Sequence, residues 1–142
     1  GEVPDAAFPP LGCSFHPRCS RAFEPCGWES RDLRDLLERR WASAAGNDTA
    51  ETEQRLLGDL DPLRVPSPEV RWTPPKGVTA EETVALLERI RADEPDERLW
   101  QGVEELRAEN GRVRLDFHLP RDPQLEPEGA VEVACHLYHP PE

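Results

Sequence analysis

Apolar residues along this chain recur with a period that changes from segment to segment, and each change marks an expected element. In SRDLRDLLERRW (30–41), Leu33, Leu36, Leu37 and Trp41 recur at helical spacing behind Ser30, a suitable N-cap. TAETEQRLLGDL (49–60) brings Leu56, Leu57 and Leu60 together on a second short helix that Pro62 stops. In SPEVRWTPP (67–75), Val70 and Trp72 alternate with charge between prolines, the pattern of a short edge strand. Thr79 and Glu82 form a capping box ahead of a helix carrying Val84, Leu87 and Ile90. A further helix is expected after Asp96, with Leu99, Val103 and Leu106 on one side and Asn110-Gly111 as its C-terminal stop. RVRLDFHL (112–119) then alternates with period two: Val113, Leu115, Phe117 and Leu119 face one way, Arg112, Arg114, Asp116 and His118 the other. VEVACHLY (131–138) gives Val131, Val133, Cys135 and Leu137 a shared face, which puts Cys135 on the apolar side of a strand.

The ends of the chain read differently from its middle. Residues 1–28 are rich in proline and glycine, lack helical periodicity and read as ordered loop. The expected fold class is therefore α+β: a loop-rich, four-cysteine lobe formed by both ends (1–28 and 131–142), with an inserted helix-plus-small-antiparallel-sheet subdomain over 29–130. A chain of 142 residues, 37% hydrophobic, has material for one modest core, so a single domain with an annex is expected. Trp28, Trp41, Trp72 and Trp100 are assigned to packing between elements.

Charge narrows the functional classes. The formal net charge is -12, and 24 of the 29 acidic residues fall in 29–130, so the middle segment presents a solvated acidic surface. Such a surface repels phosphate backbones and anionic lipid, which argues against nucleic acid as a partner. No apolar run approaches the roughly 18–20 residues of a membrane span, so no direct membrane insertion is expected. The N-terminus lacks the basic start and apolar stretch of a signal peptide, and the chain reads as soluble and intracellular. Methionine is absent even at position 1, which suggests a piece of something longer. The sequon Asn47-Asp48-Thr49 is read as chance.

Chemistry concentrates in the cysteines. Cys13, Cys19 and Cys26 lie close together with five and six residues between them, and Cys135 follows only after another 108. Structural zinc commonly takes its thiolates from tighter Cys-x2-4-Cys turns that aim two sulfurs at one ion. Paired disulfides suit small secreted scaffolds, and four cysteines are sparse for one of this length. Unpaired thiols remain a fourth possibility. An iron–sulfur cluster accommodates wider, looping spacings plus one remote ligand, because its iron corners are spread apart.

The string GEVPDAAFPPLGCSFHPRCSRAFEPC (1–26) resembles the segment that follows the nucleotide-binding domain in ATPase subunits of oligopeptide and dipeptide ABC importers. In that family a run ending G-C-x-F-H-P-R-C precedes a third cysteine, and the region closes on V-A-C-H, matched here by Val133, Ala134, Cys135 and His136. The resemblance covers about 1–28 and 131–139 and implies a 4Fe-4S cluster on Cys13, Cys19, Cys26 and Cys135, with zinc as the alternative. It implies as partners an upstream ATPase domain, a second ATPase subunit and membrane permease subunits, with a cytoplasmic location on the inner face of the plasma membrane. ATP and magnesium would belong to that upstream domain. These 142 residues contain no G-x-x-x-x-G-K-[ST] loop, so this chain on its own is not expected to be an enzyme.

His16 and His136 lie within three residues of a cysteine and are expected to support the loops rather than to act as ligands. Arg18 is expected either to offset thiolate charge or to be an ordinary surface-loop arginine, while His118 and His139 are expected to be exposed. The competing functional class is a freestanding iron–sulfur electron-transfer or redox component, for which the acidic composition speaks; a structural domain built on zinc held by the four cysteines is the other alternative.

Overall fold

Leu33, Leu36 and Leu37 can meet on one side only if the backbone is helical, and helix α1 runs Ser30–Ser43 with all three buried. The computed structural model describes residues 6–44 and 46–141. Glu29, not Ser30, is the N-cap of α1, and its N–H donates to the Asp32 carboxylate at 3.0 Å. Ser30 is buried in the first turn, where its hydroxyl donates to the Val65 carbonyl at 2.6 Å and accepts the Ser67 N–H at 3.1 Å. Helix α2 spans Asp48–Leu57 and is capped by Asn47, which accepts the Thr49 N–H at 2.6 Å. That cap gives Asn47 a local purpose. The helix stops at Gly58, whose φ of 73° no helix interior tolerates, so Leu60 packs from the following turn rather than from α2.

A three-stranded antiparallel sheet holds β1 (Glu69–Trp72), β2 (Val103–Glu109) and β3 (Arg112–Phe117) in the order β1-β3-β2. Helix α3 (Ala80–Asp93) opens on the expected capping box, with the Thr79 N–H donating to Glu82 at 2.7 Å and the Glu82 N–H donating to Thr79 Oγ1 at 3.1 Å. It packs on β2 and β3 through Leu86, Leu87 and Ile90, while Val84 is only half-buried. Val113, Leu115 and Phe117 of β3 meet Val70 and Trp72 of β1 on the same face and complete the core. Ala22, Cys26 and Trp28, from the N-terminal loop, belong to that same core.

The expected helix after Asp96 is a correction. Only Arg98–Gly102 forms a single 3-10 turn, and residues 103–109 are strand β2, paired to β3 through a hairpin at Asn110-Gly111. Both turn residues have positive φ, 52° and 73°, which is the requirement of a two-residue hairpin rather than of a helix stop. The helical spacing of Val103 and Leu106 arises from a β-bulge. Val103 opposes Phe117 and Leu106 opposes Leu115, so the extra residue near Glu104 brings positions three apart onto one face.

The other face of the sheet is charged. Arg71, Arg114 and Arg107 form a row across three strands, and Asp116, Glu105 and Glu109 intersperse with them. Asp116 accepts from Arg71 at 2.5 Å and from Arg114 at 2.8 Å. Beyond β3 the chain leaves the sheet, so Leu119 is 71% exposed instead of sharing the core face.

The C-terminal strand is shorter than its alternation suggests. β4 (Glu126–Glu128) and β5 (Val131–Val133) make a small hairpin, and Val131 is exposed. Cys135 lies past the end of β5 in a turn, half-buried, rather than on the apolar face of a strand. Its carbonyl accepts the N–H groups of Tyr138 and His139, which closes that turn. Among the described residues, no helix is long and apolar enough to cross a membrane.

Candidate functional site

The cysteine loop begins where two glycines let the backbone meet itself. A Cβ on Gly27 would stand 2.1 Å from the Leu11 carbonyl oxygen, and one on Gly12 would stand 2.8 Å from the Cys26 carbonyl oxygen. Because neither exists, the Cys13 N–H reaches the Cys26 carbonyl at 2.9 Å. From there the loop is tied at each cysteine. The Cys19 N–H donates to His16 O at 3.2 Å across a short 3-10 turn, His16–Arg18. A second such turn, Glu24–Cys26, presents the Phe23 N–H to the Cys26 sulfur at 3.5 Å. Trp28 lies against the bare Cα of Gly102, where an added Cβ would stand 2.2 Å from its Cδ1, and so anchors the loop to the sheet.

Cys135 joins this loop by a relay of hydrogen bonds. His136 Nε2 donates to the Arg121 carbonyl at 2.7 Å, and the Arg121 N–H donates to the Pro25 carbonyl at 3.0 Å, one residue from Cys26. Burial pushes the Cys26 thiol above its ordinary value; the Phe23 N–H pulls the other way, and the charges of Cys13, Cys19 and Cys135 add to the rise. Cys13, Cys19 and Cys135 each bear on Cys26 in this way, although 108 residues separate Cys26 from Cys135. Each is a free thiol; Cys26 is buried and the other three half-buried.

Four thiols with no carboxylate among them form a soft donor set, which suits iron–sulfur chemistry or zinc. Among the described residues, no group of three or more cysteine, histidine or acidic side chains converges tightly enough to hold a single ion. The residue types are those of a thiolate centre, whereas the described side chains do not converge on a metal site.

Both neighbouring histidines make hydrogen bonds of their own, His16 through both ring nitrogens and His136 through Nε2. His16 is 1% exposed, with Nδ1 2.9 Å from the Cys13 carbonyl and Nε2 2.9 Å from Asp32 Oδ2. Its ring stands edge-on to Trp28 at 4.9 Å, and Trp28 Nε1 donates to the Phe23 carbonyl at 3.0 Å. Neither ring nitrogen of His16 is left to bind metal. His136, 5% exposed, commits Nε2 to the relay. His118 and His139 are half-buried rather than exposed, and His139 pairs with Glu126 at 3.1 Å, which fastens the Cys135 turn to β4. Arg18 is exposed. Sequence reading passes over Gly12, Gly27 and Asp32; the adjacency of glycine to cysteine in Gly12-Cys13 and Cys26-Gly27 is the signal that could have found the first two.

No protein-family model matches this chain, and no solved structure matches it. A stretch of 42 residues, 30% of the chain, is 48% identical to the di/tripeptide transport ATP-binding protein DppF of Pseudomonas aeruginosa (strain UCBPP-PA14). The match covers 13% of that protein's length, so part of this chain is similar to a small part of a peptide-transport ATP-binding protein.

Proposed function

We propose that this chain is a C-terminal accessory region of the ATP-binding subunit of a peptide ABC importer, in which Cys13, Cys19, Cys26 and Cys135 hold a 4Fe-4S cluster of structural or regulatory role. The observation that supports this reading is the pair of hydrogen bonds from His136 to the Arg121 carbonyl and from the Arg121 N–H to the Pro25 carbonyl, which fastens the turn of Cys135 to the loop of the three N-terminal cysteines. The stretch shared with a di/tripeptide transport ATP-binding protein supports the importer context. Bound there, such a cluster supplies a multi-thiolate cross-link and a redox-responsive centre.

The rest of the work falls to the chain itself. Gly12 and Gly27 bring Cys13 to Cys26, the His136–Arg121–Pro25 relay brings Cys135, and burial of Cys26 limits water around its sulfur. Because burial and the neighbouring charges favour the neutral Cys26 thiol, ligation there must displace a proton, and loading releases acid. The upstream ATPase domain, a second ATPase subunit and permease subunits are the partners on this reading, and the protein sits at the inner face of the plasma membrane.

The test is peptide uptake. Cells whose only copy of the full-length protein carries Cys135→Ser should lose uptake of a labelled dipeptide that the wild-type gene restores. Unchanged uptake of dipeptides and oligopeptides in cells lacking the gene altogether would overturn the importer assignment.

A further inference from the structure

We infer that His16 is the positioning residue of the cysteine centre, coupling the Cys13–Cys19 loop to the N-terminus of α1 through Asp32 and Trp28. This rests on the cluster reading above. The side chain is fully buried on a short 3-10 turn, where a polar ring has to be given hydrogen-bond partners. Its two nitrogens instead span two separate pieces of structure: Nδ1 bonds the carbonyl of Cys13, and Nε2 bonds Asp32, whose Oδ2 also accepts the Glu29 N–H that starts α1. The His16 backbone completes the brace, donating to Cys13 O at 3.1 Å and accepting from Cys19 at 3.2 Å. Cys13 thus takes its position from the imidazole and Cys19 from the backbone of the same residue, and the imidazole takes its own from the first turn of a helix in the main core.

Partners of this kind that orient ligands commonly change metal affinity about 10–100-fold when lost. By reciprocity, whatever tightens the Cys13–Cys19 loop also tightens the start of α1.

Two substitutions divide the brace. His16→Asn keeps an N–H near Nδ1 and gives up Asp32, whereas His16→Gln keeps one near Nε2 and gives up Cys13. A third variant, Thr83→Val, removes a buried hydrogen bond to the Leu56 carbonyl, remote in the fold, and serves as the control for stability alone. The full chain is reconstituted anaerobically with iron and sulfide, and iron release to a chelator is timed together with the thiolate-to-iron absorption. Both His16 variants are expected to release iron about 10–100-fold faster with an altered absorption envelope, while Thr83→Val matches wild type in both. Equal release and spectra in all four proteins overturn the role of His16 and leave the cluster standing. A wild-type chain that takes up no iron and sulfide overturns the cluster reading, and this inference with it.

Discussion

At Gly27 the backbone adopts φ 114° and passes directly against Leu11, so the absence of a side chain decides whether Cys13 and Cys26 can be neighbours. Gly27→Ala is expected to cost about 1–3 kcal/mol through strain and forced separation, measured by chemical denaturation of the metal-free chain. A neutral result would show that the loop crosses without needing that contact. Glu29 illustrates the opposite use of burial. Burial pushes its carboxyl up, against the pull of Arg31, so its contribution to stability is present below about pH 4.5 and is lost as pH rises through the raised value. Glu29→Gln should therefore gain on wild type as pH increases from 4 to 7. A constant difference between the two proteins across that range would contradict this account of the α1 cap.

The sheet is where alternation was easiest and hardest to read. β3 was legible because Val113, Leu115 and Phe117 alternate with charge and lie in the middle of the sheet, where one face must be buried. β2 was not, because the bulge near Glu104 shifts its apolar positions to a spacing that a helix would also produce, and because Asn110-Gly111 ends helices and turns hairpins alike. Only the pairing of Leu106 with Leu115 and Ala108 with Val113, a tertiary fact, separates the two. Gly111→Ala is expected to cost about 1 kcal/mol, since its φ of 73° suits glycine, and the loss should appear as a lower denaturation midpoint with unchanged slope. On the charged face, burial pushes Asp116 up, but the hydrogen bonds from Arg71 and Arg114 outweigh it and hold the carboxyl below its ordinary value of 3.8. Its contribution is thus present above about pH 3.8 and is lost as pH falls through the lowered value. Asp116→Asn should flatten the acid limb of the stability curve, and an acid limb identical to wild type would argue that the arginine row holds the sheet by packing alone.

At the scale of the whole molecule, His136 bonds Arg121 and Arg121 bonds Pro25, which ties the C-terminal turn to the N-terminal loop; the sequence suggests a proximity of these segments through its four cysteines and their motifs rather than through periodicity. The alternation around Cys135 suggested a strand, whereas the residue sits in a turn that His139 fastens to β4 and His136 fastens to Arg121. What the sequence could not disclose is that the N-terminal loop shares its core with the middle: Trp28 lies on Gly102, and Ala22 and Cys26 belong to the same buried cluster as the α1 leucines. Loss of the proposed cysteine centre is accordingly expected to be felt in the main fold. Anaerobic purification of the full chain, followed by assay of iron and acid-labile sulfide, tests the central claim most directly. About four iron and about four sulfide per wild-type chain, falling sharply in Cys135→Ser, are the expected result. Equimolar zinc without sulfide, or no bound metal at all, would contradict it.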